Sequence, residues 1–153
     1  MSVQTGRRFL GFGLLLALIV LVADQASKNW VLYELGFINC PACLPVEVTS
    51  FFNLTMVWNE GISYGLFPAD SANEKYLLIG FSLIMALILT WWLVRADGRW
   101  LAAGLGLVIG GAIGNVIDRI LYGAVVDFFH FHGFGYSWYV FNVADAAIVL
   151  GVG

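Results

Sequence analysis

Long apolar runs dominate this chain and leave few folds open to it. The first extends from Phe9 to about Trp30, the second from Tyr76 to Val94, the third from Trp100 to about Leu121, and a fourth starts near Trp138. Runs of roughly 18 residues or more that follow neither the helical nor the strand period read as membrane-spanning helices. At 1.5 Å per residue the first run reaches roughly 33 Å, enough for one crossing. The fourth is still apolar at Gly153, so its helix is expected to be short or clipped. With 61% hydrophobic and 11% charged residues, the chain carries more apolar surface than a soluble core of its 153 residues would absorb. An all-α membrane protein is expected, a single membrane domain over 1–153 with four transmembrane helices at about 9–30, 76–94, 100–121 and 138–153. The loops 33–75 and 122–137 connect them on one side.

The charges orient these spans. Arg7, Arg8, Arg95 and Arg99 flank the N-terminus and the loop between the second and third spans, whereas the other two loops carry only Lys75. Positive charge stays in the cytoplasm, so both termini are placed inside and the two long loops outside. Val22-Ala23-Asp24 is a poor small-x-small site, which argues against a cleaved leader. Val46 to Trp58 is rich in β-branched and aromatic residues and predicts a small β element at the outer surface. Pro68 and Asp70 punctuate a turn before a short amphipathic stretch that leads into the second span. A net charge of −3 with seven Lys and Arg offers no basic patch, so no nucleic-acid partner is expected.

Against this background the polar residues inside the spans need a reason. Asp24 and Lys28 come late in the first span, Asn115, Asp118 and Arg119 late in the third, and Asn142 and Asp145 early in the fourth. Because the spans alternate in direction, all of them fall in the outer half of the bilayer. Spacings of three and four residues put each set on one helical face. Those faces must point into the bundle, since a charge exposed to lipid near the membrane centre costs about 3 kcal/mol or more. Asp24 with Lys28, and Asp118 with Arg119, are the expected ion pairs. Asp127 and Asp145 are then left without a counter-charge, and they share a proton if they meet. Two carboxyl groups in mutual reach cannot both ionise, which gives one acid and one base at the same pH, the pair that activates water in aspartic proteases.

Several spaced blocks carry a resemblance. GGAIGNVIDR (110–119), VVDF (125–128) and FNVAD (141–145), with Asp24-x-x-x-Lys28 and VWNEGISYGLF (57–67), resemble the signature blocks of lipoprotein signal peptidase, or signal peptidase II, in order along nearly the whole chain. The resemblance implies a membrane aspartyl endopeptidase of the bacterial inner membrane, with its site toward the periplasm. It would remove the signal peptide of a diacylglyceryl-modified prolipoprotein just before the lipidated cysteine. It implies Asp127 and Asp145 as the catalytic dyad, and Asp24, Lys28, Asn59, Gly61, Asn115, Asp118, Arg119 and Asn142 as residues that line or brace the site. It also implies a small β cradle and a short periplasmic helix on the outer side, with prolipoproteins and membrane lipid as partners, no cofactor, and a monomer. Ile62, Ser63 and Tyr64 depart from the small residues and Phe common in the family at these positions.

Other features point elsewhere with less force. His130 and His132 beside Asp127 lack a third histidine or an HExxH pattern, so no metal is expected. Gly106, Gly110 and Gly114 form overlapping GxxxG patterns and mark a close helix-packing face. Cys40 and Cys43 in CPAC raise the alternative of a thiol-disulfide membrane oxidoreductase, but a second cysteine pair to relay electrons is missing from the sequence. A small transporter would place polar groups through both leaflets, and here the inner half has none.

Overall fold

The computed structural model describes residues 8–40, 44–61 and 71–153. Helix α1 (Leu10–Asn29) runs on through a π turn (Trp30–Glu34), and α2 (Ser71–Leu93), α3 (Arg99–Tyr122) and the short α4 (Val143–Val152) follow. Among the described residues, three helical segments are long and apolar enough to cross a membrane: Leu10–Glu34, Asn73–Leu93 and Arg99–Tyr122, with mean hydropathies of 2.0, 2.1 and 1.8. Their outward residues, such as Leu18, Val22, Leu77, Phe81 and Leu87, are large, apolar and exposed, as a lipid-facing surface requires.

Helix α3 is the hub, packing on α1, α2 and α4. Gly106 and Gly110 lie against the backbone of Gly13 and Ala17, Gly114 lies against Asp24, and Gln25 reaches Asp118, so α1 and α3 run parallel. Gly111 meets Ala144 and Ile148 while Gly104 meets Gly151, so α4 runs antiparallel to α3. The late turns of α1 and α3 and the first turn of α4 therefore occupy the same end of the bundle.

A small antiparallel sheet sits at that end. Strands β1 (Val46–Thr49), β2 (Phe52–Asn59), β3 (Val125–Gly133) and β4 (Tyr136–Ser137) are hydrogen-bonded in that order. Val126 and Phe128 of β3 and Leu54 of β2 are buried against Val31 and Leu32 of the π turn and Phe37, which fastens the sheet to the helices. Gly123, at a φ of 83°, ends α3 in the left-handed conformation that favours glycine, and β3 begins two residues later.

The structure corrects three expectations. The connection 122–137 is largely strand, so the β element comprises four strands rather than the single stretch 46–58. The last helix starts at Val143, not near Trp138, because Phe141 is bridged to Phe129 of β3. Finally, the amphipathic stretch before Tyr76 belongs to α2, which already begins at Ser71. The turn at Pro68 and Asp70, the family departures at Ile62, Ser63 and Tyr64, and Cys43 lie outside the described residues, whereas Cys40 is held in a disulfide.

Candidate active site

The polar residues of α1, α3 and α4 form one connected group under the sheet. Asp24, Lys28, Asp118, Asp127 and Asn142 are all buried, each at most 2% exposed, and Asn115 is nearly so. Lys28 is the centre of charge: its Nζ lies 2.8 Å from Asp24 Oδ2 and 2.7 Å from Asp118 Oδ2, and it donates to Asn115 Oδ1 at 3.2 Å. This corrects the expected pairing of Asp118 with Arg119. Adjacent helical residues do not face one another, and Asp118 turns to α1 for its cation. Arg119 forms no ion pair among the described residues. Its Nη1 reaches Asn115 O at 3.5 Å and its buried Nε has no hydrogen-bond partner among the described residues, while Asp145, Asp118 and Asp127 lie within electrostatic reach.

Asp127 and Asp145 reach this group from different elements. Asp127 pairs with Val57 across β2 and β3, so Asn59, two residues along β2, shares its face of the sheet. Asn59 Nδ2 donates to Asp127 Oδ2 at 3.0 Å, and Asn142 Nδ2 donates to Asp127 Oδ1 at 2.7 Å. Asp145 is the third residue of α4 and forms a capping box with Asn142: its backbone N–H donates to Asn142 Oδ1 at 2.9 Å, and its Oδ2 accepts the Asn142 N–H at 3.4 Å. Asn115 Nδ2 donates to Asp145 Oδ1 at 2.8 Å. Asn142 thus bridges the two carboxyl groups, donating to one from its side chain and to the other from its backbone.

Burial pushes the Asp127 carboxyl up to about 6; the Asn59 hydrogen bond opposes this, and the negative charge of Asp145 adds to it. Beside Asp127 opens a cleft of about 770 Å³, lined also by Asn59, Gly61, Arg119, Trp58 and Trp138. Gly61 adopts a φ of 117° and donates to Asn59 Oδ1 at 3.0 Å, which fixes the amide that faces Asp127. Every residue singled out in the sequence as dyad or support therefore lies in or beside this group.

Three participants were not singled out as site residues in the sequence. Gln25 Nε2 lies 3.0 Å from Asp118 Oδ1, 3.2 Å from Asp24 Oδ2 and 3.3 Å from Gly114 O. The backbone N–H of Val126 donates to Asp118 Oδ2 at 3.1 Å, and that of Ala144 to Asp24 Oδ1 at 2.9 Å. Gln25 sits one residue from Asp24, and this adjacency was the only available signal. His130 Nε2 instead meets Ser137 Oγ at 2.7 Å.

Residues 16–153 match the family model described as signal peptidase (SPase) II. The chain belongs to the signal peptidase II family. Similar signal peptidase II relatives include the lipoprotein signal peptidases of Methylobacterium sp. strain 4-46, 49% identical over 140 residues covering 92% of this chain and 83% of the relative, and of Rhodopseudomonas palustris strain TIE-1, 49% identical over 144 residues covering 92% and 86%. A bacterial membrane enzyme solved in meso at 1.9 Å superposes with a TM-score of 0.75 at 28% identity, covering 93% of this chain and 88% of that one. A second, at 2.3 Å, gives 0.74 at 27% identity. As a signal peptidase II family member, the chain is a membrane-embedded protease.

Proposed function

We propose that the chain is an aspartyl endopeptidase that removes the signal peptide from prolipoproteins, with Asp127 and Asp145 as the catalytic dyad. The observation that carries the reading is the Asn142 bridge, which ties two carboxyl groups from separate elements together, with Asp127 at the edge of the cleft. Of the two, Asp127 is the favoured holder of a shared proton, because burial raises its affinity for one. Asp145 then takes the proton of a water molecule whose oxygen adds to the scissile carbonyl carbon, while Asp127 gives its proton to the carbonyl oxygen. Collapse of the tetrahedral intermediate breaks the C–N bond, and a proton passes to the leaving amine. Asn59 and Asn142 hold Asp127 in place, Asn115 holds Asp145, and Arg119 is the cation that faces the substrate backbone.

The finer placement follows the same reasoning. Arg8, Arg95 and Arg99 lie at the bundle end opposite the sheet, which supports cytoplasmic termini and a periplasmic site in the inner membrane of a bacterium. Helix α4 is then the fourth span, and the chain forms one membrane domain acting as a monomer. A substrate anchored by two acyl chains holds its scissile bond near the interface, the depth at which the dyad lies, so lipid attachment supplies part of the orientation that catalysis needs.

The deciding experiment presents the purified protein with a diacylglyceryl-modified prolipoprotein and, in parallel, with the same precursor unlipidated. Cleavage immediately before the cysteine of the lipidated precursor alone is expected. Equal cleavage of both would remove the lipid from the recognition.

A further inference from the structure

The buried charges around Lys28 form a closed ring whose outer contacts reach both segments that carry the dyad, β3 and α4. Lys28 joins Asp24 to Asp118 on one side, at 2.8 and 2.7 Å, and Gln25 joins the same two carboxylates on the other, at 3.2 and 3.0 Å. The second oxygen of Asp24 accepts the N–H of Ala144, the residue immediately before Asp145. Asp118, through the same oxygen that meets Lys28, accepts the N–H of Val126, the residue immediately before Asp127. Each dyad residue is thus preceded by a backbone amide tied to one side of one ring.

We infer that Gln25 is a positioning residue that, with Lys28, fixes the separation of Asp127 and Asp145 by tying together the two carboxylates that hold their backbones. The ring contains two carboxylates and one ammonium, so Lys28 alone leaves one negative charge in excess. With the donor of Gln25 removed, Asp24 and Asp118 repel across a buried gap with a single cation between them, and in low dielectric that repulsion is poorly screened. The carboxylates then move apart and carry Ala144 and Val126 with them. Gln25 also donates to Gly114 O, which anchors its amide to α3 rather than to either acid alone. The α4 amide is held where the helix dipole favours a negative group, so Asp24 has reason to keep its place at that end and to transmit any shift to Asp145.

The inference rests on the proposed dyad, and its readout is the coupling between the two acids. Two interacting carboxyl groups titrate as a pair, and stronger coupling sets their apparent pKa values further apart. The groups facing Asp127 are Asn59 of β2, Asn142 at the cap of α4, Asp145 of α4, Lys28 of α1 and Arg119 of α3, and a Gln25 substitution changes none of them directly. For Gln25→Leu we expect kcat on diacylated prolipoprotein to fall about tenfold, KM to stay within about twofold, and the bell-shaped pH profile of kcat/KM to narrow. A purely structural residue would lower the active fraction and leave the width of the bell unchanged, and that outcome overturns the inference. Should Gln25→Leu fail to accumulate folded, Gln25→Met, unbranched and without a donor, takes its place; failure of both to fold would assign Gln25 to bundle assembly and overturn the inference as well. An active Asp127→Asn would remove the dyad itself, whereas an inactive Asp127→Asn with an unchanged profile in Gln25→Leu would remove only the clamp.

Discussion

Helices α1 and α3 meet along their length by two different kinds of contact. In the half away from the sheet, Gly13 and Ala17 face Gly106 and Gly110, and the backbones approach until a Cβ on Gly110 would fall 2.5 Å from the carbonyl oxygen of Ala17. In the half beneath the sheet, Asp24, Gln25 and Lys28 face Gly114, Asn115 and Asp118 through ion pairs and hydrogen bonds. Among apolar surroundings no hydrophobic force draws helices together, so close van der Waals contact between small residues sets how near they come. Directional polar contacts then set where individual oxygens lie. One half determines whether the bundle forms, and the other determines whether two carboxyl groups meet.

The largest effect follows from breaking the polar half at its point of chemistry. Asp127→Asn and Asp145→Asn should each lower cleavage about 10²- to 10⁴-fold, the range of general acid–base catalysis, while leaving a folded protein in the membrane. Uncleaved prolipoprotein should accumulate in cells carrying either variant as the sole copy. Retained cleavage in either would remove that carboxyl from the dyad and with it the division of labour between the two halves.

The same substitution sharpens the contrast when stability is measured. Asp127 titrates near 6 in place of its ordinary 3.8, chiefly because burial disfavours its charge. A carboxyl raised in this way binds its proton more tightly folded than unfolded. Its contribution to stability is fully present below about pH 4 and is lost as pH rises through about 6, a change on the order of 3 kcal/mol for about two pKa units. Asn at this position does not ionise. The Tm of Asp127→Asn relative to the unsubstituted protein should therefore climb from pH 4 to pH 7, measured in one detergent. A difference that stays flat across this interval would place the Asp127 carboxyl outside the desolvated environment assigned to it.

The two halves were also unequally legible in the sequence. Uninterrupted apolar length announces a span without any knowledge of its neighbours, and so Leu10–Glu34, Asn73–Leu93 and Arg99–Tyr122 were readable. The alternation of span direction sufficed to bring Asp24, Asp118 and Asp145 to one end. The close packing face of Gly106, Gly110 and Gly114 was readable too, and what failed was the pairing of particular side chains and strands between elements. The partner of Asp118 is Lys28 on another helix, not the neighbouring Arg119, and only the packing reveals it. VVDFFHFH is rich in strand formers, yet its pairing with β2 is long-range and its aromatic content merges with the apolar run that follows. The true start of α4 was available locally: Asn142 and Asp145 stand three residues apart, the spacing of a capping box, but Trp138 to Phe141 extend the apolar pattern upstream and mask it. Gln25, uncharged between Asp24 and Lys28, gave no sign that its amide touches two buried acids.

One substitution made twice on the same face of α3 tests the comparison most finely. A Cβ at Gly106 would meet the carbonyl oxygen and Cα of Gly13, which are backbone atoms that yield only if α1 moves as a whole. Overpacking of that kind costs about 1–3 kcal/mol, so Gly106→Ala should lower Tm while leaving kcat per folded molecule within about twofold. Eight residues on, a Cβ at Gly114 would lie 2.5 Å from Asp24 Oδ2, the end of a side chain that can rotate aside. That rotation needs no movement of either helix backbone, but Asp24 then surrenders its geometry with Lys28, Gln25 and the Ala144 N–H. Gly114→Ala should accordingly keep most of its Tm and lose several-fold in kcat, the smaller energetic change falling on the chemistry rather than the fold. If both variants lose stability and activity in the same proportion, shape and position are not separately encoded along this helix pair, and the two halves act as one.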